Sequence, residues 1–301
     1  MTGVLLVDKP EGMTSAGVIR ALKPRLGRIK VGHLGTLDPF ASGLLPLCLG
    51  EATKVARYLL VEHKAYEGTI RLGTATDTLD RTGTPIDTAP VPALAQATLD
   101  AVAAHFTGRQ EQVPPMYSAL KRDGVPLYEL ARRGLEVERA PREVTIESLE
   151  LVLRAADRID FRVACSKGTY VRVLAADVGR ALETRAHLER LRRTRVGAFR
   201  VEDATAVDVL LALAPAAALP VLAVRAALAG YPAFAAPSPD ALERLRRGQQ
   251  APLARLPAPR AAGETALLLD PAGDVAAIIE AAGARPAWRL VRLLRSRDTV
   301  S

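Results

Sequence analysis

The chain has almost no cysteine: Cys48 and Cys165 are the only two in 301 residues, and neither belongs to a C-x-x-C pair. That count excludes a disulfide framework and a thiolate zinc site. The four histidines, His33, His63, His105 and His187, fall at no metal-ligand spacing, so no metal is expected. Long apolar runs are missing as well. The longest uncharged one, Val209 to Val224, covers 16 residues and is broken by Pro215 and Pro220, short of a membrane span. Val4 to Val7 is followed at once by Asp8 and Lys9, too little for the apolar core of a secretory signal. No repeat recurs at roughly 20 to 50 residues, which sets aside solenoids and propellers. Together these absences predict a reducing, cytoplasmic setting and no membrane partner.

Positive charge is what the chain has in excess. Lys and Arg number 41 against 33 Asp and Glu, giving a net charge of +8 and a pI near 9.8. Basic surfaces gain affinity for polyanions by releasing condensed counterions, so a nucleic acid is the expected class of partner. At 301 residues the chain exceeds a usual single domain, and eight of its 21 prolines lie between Pro215 and Pro259. That shift in composition predicts a boundary near residues 220 to 230, with a large domain before it and a small one after.

Hydrophobic periodicity places the elements. Val4 to Val7 reads as a buried strand, and Thr14 or Ser15 can cap a helix carrying Ile19, Leu22 and Leu26. Tyr66, Gly68, Ile70 and Leu72 alternate with Glu67, Thr69 and Arg71, the period of a half-buried strand. Leu99, Val102 and Phe106 predict a helix, and Ile159, Phe161, Val163 and Cys165 a strand. Val171, Leu174, Ala175, Val178 and Leu182 predict another helix, with Arg172 in its first turn. A cation there opposes the helix dipole, which invites a carboxylate partner. From Arg180 through Arg200 there are seven Arg against two Glu, with Leu188 and Leu191 at helical spacing. A nearly single-signed helix over this stretch, including Arg192 and Arg193, is expected to meet phosphates. Gln112 to Gly134 mixes Tyr117 and Tyr128 with Lys121, Arg132 and Arg133, the composition of an RNA-gripping arm. The tail predicts a hairpin around Asp270 to Gly273 and a last strand through Trp288, Leu290, Arg292 and Leu294, read together as a small β-barrel.

One loop organises the rest: Gly32-His33-Leu34-Gly35-Thr36-Leu37-Asp38-Pro39. Its glycines permit tight turning, and Pro39 biases Asp38 toward an extended conformation. The loop resembles the catalytic G-H-x-G-T-L-D-P segment of the TruB-type pseudouridine synthases, which act on the T loop of tRNA. Three other segments resemble the same family, in the same order: Lys9-Pro10-Glu11-Gly12-Met13-Thr14-Ser15, Gln112 to Lys121 continuing through Tyr128 to Gly134, and Lys167-Gly168-Thr169-Tyr170-Val171-Arg172. Val171 stands where the family commonly has Ile.

The resemblance implies an α+β pseudouridine synthase fold with a mixed, mostly antiparallel central sheet over residues 1–225. It also implies an RNA-gripping insertion at about 112–146 and a small PUA-like β-barrel domain at 230–300. It further implies that uridine 55 is isomerised with no cofactor, by flipping the base out and attacking with Asp38. Attack at ribose C1′, a glycal route and addition at uracil C6 are all compatible with the motif. By motif position Arg172 keeps the carboxylate ionised and oriented, Tyr66 stacks on the base, and His33 supports the extruded nucleotide. Tyr170 and Leu191 line the uracil pocket, Lys9 props the Asp38 loop, and Lys167 joins the arm residues in gripping RNA. The implied partner is the tRNA T-arm stem-loop, met by a monomer without guide RNA, because the first motif begins almost at Met1. The competing expectation is a basic RNA chaperone that remodels tRNA without chemistry. The intact loop and its matching Arg favour the enzyme.

Overall fold

The computed structural model describes residues 1–59, 63–118, 120–122, 124–214, 218–238, 240–283 and 287–295. Seven of the 11 strands in the large sheet form its body: β1 (Gly3–Lys9), β2 (Ser42–Leu49), β3 (His63–Leu72), β4 (Gly108–Gln112), β5 (Arg142–Ala155), β6 (Arg158–Ser166) and β7 (Ala186–Val196). Among them lie helices α1 (Ser15–Leu26), α2 (Gln96–Phe106), α3 (Leu127–Arg132) and α4 (Val171–Ala181). The strand order is β1-β2-β7-β3-β6-β5-β4, and every neighbouring pair is antiparallel except β2 and β7. This is the mixed, mostly antiparallel sheet expected of the fold.

Side-chain alternation decides what each strand buries. In β3 and β6, Tyr66, Ile70, Leu72, Ile159, Phe161, Val163 and Cys165 turn to one core, where α1 contributes Val18, Leu22 and Leu26 and α4 contributes Leu174 and Val178. β1 and β2 are buried on both faces, which is why they read as unbroken apolar runs rather than alternating ones. Their second face, with Val4, Leu44 and Cys48, packs in a cluster that includes Leu267, Leu269, Val275 and Ile278 of the C-terminal part. Helix α1 starts where Thr14 Oγ1 accepts from the Gly17 N–H at 2.8 Å, and ends at Gly27.

The stretch from Arg180 to Arg200 corrects the helix expected there. Its centre is β7, in the middle of the sheet, and two bulges, between Leu188 and Arg190 and between Arg193 and Arg195, interrupt its register with β3. The bulges stretch the spacing of buried residues from two to three, so a strand imitates a helix in the sequence. The C-terminal strands β8 (Ala233–Ala235), β9 (Thr265–Leu269), β10 (Val275–Ala282) and β11 (Ala287–Leu293) form a separate sheet in that order. Among the described residues these four strands pair in sequence order, a sheet separate from the large one and consistent with the small PUA-like domain expected there. Trp288 anchors it, donating from Nε1 to the Pro257 carbonyl at 2.6 Å.

Gly43 is fixed by the β2–β7 pairing. Its φ is +103°, and a Cβ there would meet the Arg193 carbonyl oxygen at 2.3 Å and amide nitrogen at 2.8 Å. Gly43→Ala is expected to destabilise the protein by about 3 kcal/mol or more, from strain plus the clash with backbone that cannot retreat. Chemical denaturation of the variant checks this; a loss under about 1 kcal/mol contradicts the close β2–β7 contact.

Candidate active site

Four parts of the chain meet at one guanidinium. Arg172, second residue of α4 and almost fully buried, forms an ion pair from Nε to Asp38 Oδ2 at 2.9 Å and donates from Nη2 to Asp38 Oδ1 at 3.4 Å. It also donates to the carbonyls of Thr78 at 2.8 Å and Tyr117 at 2.7 Å, and its Nη1 lies 3.8 Å from Asp80 Oδ2. The cost of a cation in the first helical turn is only about 0.3–1 kcal/mol. Removing one partner of a buried ion pair costs about 3–5 kcal/mol, so the carboxylates prevail.

The Asp38 loop is held from below. Lys9 Nζ, fully buried, donates to the carbonyls of Pro10 at 2.8 Å, Met13 at 2.7 Å and Pro39 at 3.4 Å. The Ser15 hydroxyl accepts from the Leu37 N–H at 2.9 Å and donates to the Leu37 carbonyl at 3.2 Å. Arg193, expected at the RNA surface, is fully buried instead: it donates to the carbonyls of Leu44 at 2.8 Å, Gly35 at 3.0 Å and Thr36 at 3.3 Å. It is paired across the sheet with Tyr66, facing inward beneath the loop, and is out of reach of a phosphate. Arg192 alternates to the opposite face, where Asp8 holds it bidentately at 2.7 and 3.1 Å. A strand in place of the expected helix accounts for both corrections.

A cavity of about 210 Å³ opens above Asp38, lined by Lys64, Tyr66, Ser118, Tyr170, Arg172 and Leu191 among others. The expected residues Tyr66, Tyr170 and Leu191 thus come together with Asp38 and Arg172. His33 does not reach the lining; it lies on the short strand Val31–His33, and burial, aided by the nearby Arg193 guanidinium, pushes its pKa down. Lys167 is exposed on the turn before α4, and Arg132, the last residue of α3, and Arg133 just after it are exposed, with Arg132 stacked over the Tyr128 ring at 5.5 Å. Lys121 lies on a short strand, Lys121–Arg122, and its side chain falls outside the described residues.

Asp80, at the end of the polar stretch Thr76-Asp77-Thr78-Leu79-Asp80, belongs to none of the motif segments and is the site residue that sequence reasoning misses. Its buried carboxylate accepts from the Thr82 N–H and the Thr78 hydroxyl, both at 2.9 Å, and faces Arg172 Nη1, whereas Asp38 meets Nε and Nη2. The neighbouring Leu79 takes a φ of +62°, a strained conformation for a branched side chain, and its carbonyl accepts from Leu188 of β7 at 3.0 Å. Only the tertiary partner gives Asp80 a meaning beyond a turn.

The charge balance sets the titration of Asp38. Water reaches its side chain, 36% exposed, from the cavity, yet protein atoms surround the carboxyl on its other sides. Burial raises its pKa, Arg172 opposes that rise, and Asp80 adds to it. The Asp38 carboxyl is therefore expected to titrate above the ordinary value of about 3.9, and Asp80→Asn to bring it down by removing a like charge. Carbon-13 NMR of labelled aspartates, with Asp38→Asn to assign the signal, checks both; an Asp38 value at or below 3.9 contradicts this electrostatic picture.

Residues 22–171 match the family model for the N-terminal domain of TruB family pseudouridylate synthases, and residues 172–219 match that for the tRNA pseudouridylate synthase B C-terminal domain. The tRNA pseudouridine synthase B of Aromatoleum aromaticum is 55% identical over 76% of this chain and 74% of its own length. That of Psychrobacter cryohalolentis is 51% identical over 71% of this chain and 61% of its own. A solved Cbf5–Nop10–Gar1 complex contains a chain of the same fold, with a TM-score of 0.68 and 24% identity over 98% of this chain and 86% of that one. With its Asp38 loop intact and more than two thirds of its length aligned at this identity, the chain belongs to the TruB family of pseudouridylate synthases.

Proposed function

We propose that this chain isomerises uridine 55 of the tRNA T loop to pseudouridine, with Asp38 as the attacking carboxylate. The observation that carries the reading is the bidentate contact of Arg172 with Asp38 at the floor of a cavity walled by Tyr66, Tyr170 and Leu191. The name tRNA pseudouridine synthase B, shared by the relatives, supports the substrate class over a chaperone without chemistry.

The reaction breaks the N1–C1′ bond and forms C5–C1′; N1 gains a proton and C5 loses one to solvent. Nothing is oxidised or added, so the chemistry calls for no cofactor. A base inside a stacked loop is out of reach, so the uridine is extruded into the cavity, where the Tyr66 ring supplies a stacking face. Arg172 keeps Asp38 ionised and aims both carboxylate oxygens, a geometry that the single ammonium of Lys does not reproduce. Lys9 supports the loop, and Lys121, Arg132, Arg133 and Lys167 grip the T-arm. In this reading residues 1–225 are catalytic, 112–146 form the RNA-gripping insertion, and 230–300 form a PUA-like accessory domain.

Loss of the C5 hydrogen gives the assay: tritium release from a T-arm stem-loop carrying 5-tritiated uridine. Wild type is expected to release tritium, folded Asp38→Asn to release none, and Arg172→Lys to turn over about 100-fold more slowly. Tight, salt-sensitive binding without release from that RNA or from whole tRNA overturns the reading and leaves the chaperone.

A further inference from the structure

Two cations line the cavity, and only one of them is committed. Arg172 holds Asp38, the Thr78 and Tyr117 carbonyls and one edge of Asp80. Lys64, two residues before Tyr66 on β3 and on the same face, makes no hydrogen bond or ion pair among the described residues. Its ammonium lies 3.3 Å from the point where a side chain would begin at Gly35, and Arg193 Nη1 lies 3.5 Å from the same point. Gly35 has a φ of +100°, and its missing side chain leaves the space that the ammonium occupies. Burial and the Arg193 guanidinium both push the Lys64 pKa down, and no carboxylate acts against them.

The carboxylates nearby are already taken. Asp38 and Asp80 face Arg172, and Glu147, which like Lys64 acts on Cys165, contacts His63 Nδ1. Arg193 and Lys9 spend their donors on backbone carbonyls of the Asp38 loop, of β2 and of the turn before α1. The wall of the cavity thus carries a half-buried positive charge without a counter-ion. A neutral uracil carbonyl offers a hydrogen bond but no charge, whereas the RNA backbone offers a phosphate with every nucleotide.

We propose that Lys64 is a substrate-binding residue, whose ammonium takes one of the two phosphates flanking the extruded uridine and so sets how deeply that nucleotide enters the cavity. The inference rests on the isomerase reading above. Its contact forms on binding, so its effect falls on KM rather than on the chemical step.

The test pairs a lysine substitution with a neutralised phosphate. Stem-loops carrying one methylphosphonate, either 5′ or 3′ of the target uridine, are assayed by tritium release with wild type and Lys64→Met. Expected is a KM about 10-fold higher for Lys64→Met on unmodified RNA, with kcat within about twofold of wild type and recovery of most of the loss in Lys64→Arg. The methylphosphonate at the contacted phosphate raises KM about as much for wild type and no further for Lys64→Met. Which of the two RNAs behaves so identifies the phosphate. The slope of log KM against log salt is expected to fall by about 0.7 in the variant. An unchanged KM for folded Lys64→Met, or losses that add independently for both methylphosphonates, overturns the proposal. Lys64→Gln carries the same comparison if the Met variant melts early. No turnover by wild type would instead be a failure of the isomerase reading, and is seen before any variant is compared.

Discussion

A single ion pair, Arg172 with Asp38, draws together parts of the chain that are 134 residues apart in sequence. The guanidinium is planar with five donors, and here its contacts reach Asp38, Thr78, Asp80 and Tyr117. Each of those groups belongs to a different loop or turn except the adjacent Thr78 and Asp80, so one side chain registers three loops against α4. That explains why Arg172 tolerates a helix N-terminus, the least favourable end for a cation. The local loss is a fraction of what an unpaired buried carboxylate would cost.

Beneath the pair, support comes from cations facing carbonyls. Lys9 and Arg193 have no exposed surface, and their donors point at the backbone of the Asp38 loop and of the turn before α1. Backbone carbonyls satisfy the donors without neutralising the charge, so the loop is held by groups that also lend it positive potential. Such a floor favours the ionised form of Asp38 against its own burial, and Lys9 indeed acts in that direction. The same arrangement leaves the site short of negative charge until an anion arrives. A catalytic carboxylate and a polyanionic substrate are thereby served by one set of buried bases.

Much of this was legible in the residues. Alternation in β3 and β6 and the helical stripe of α4 are period signals, and the structure bears them out. Arg172 announced its partner by sitting at the wrong end of a helix. Other features left no such trace. The two bulges in β7 gave a strand the spacing of a helix and turned Arg193 from an expected surface cation into the buried prop of the loop. Asp80 looked like any turn aspartate, because the group that distinguishes it, Arg172, arrives from 92 positions along the chain. Lys64 carries no sequence signal at all, because its neighbours Gly35 and Arg193 come from other segments. Periodicity reports which face is buried; it does not report what a polar group meets there.

The insertion between β4 and β5 meets the Arg172–Asp38 pair through a backbone carbonyl. The Tyr117 carbonyl accepts from the same Arg172 nitrogen, Nη2, that reaches Asp38 Oδ1. Ser118, next along, lines the cavity, and its N–H donates to the Met116 carbonyl at 2.9 Å, which turns the segment over the site. Farther out, the Ser118 carbonyl accepts from the Tyr128 N–H at 3.2 Å at the start of α3, the helix that ends at the exposed Arg132, with Arg133 exposed just after it. A displacement of that helix therefore reaches Arg172 through two hydrogen bonds and a turn. Each such bond contributes about 0.5–1.5 kcal/mol, or 1.5–3 kcal/mol where the guanidinium is the donor. The inner bond, with the guanidinium as donor, is thus the stronger of the two, while the start of α3 is held by a second backbone bond, from the Leu127 N–H to the Leu120 carbonyl at 2.7 Å.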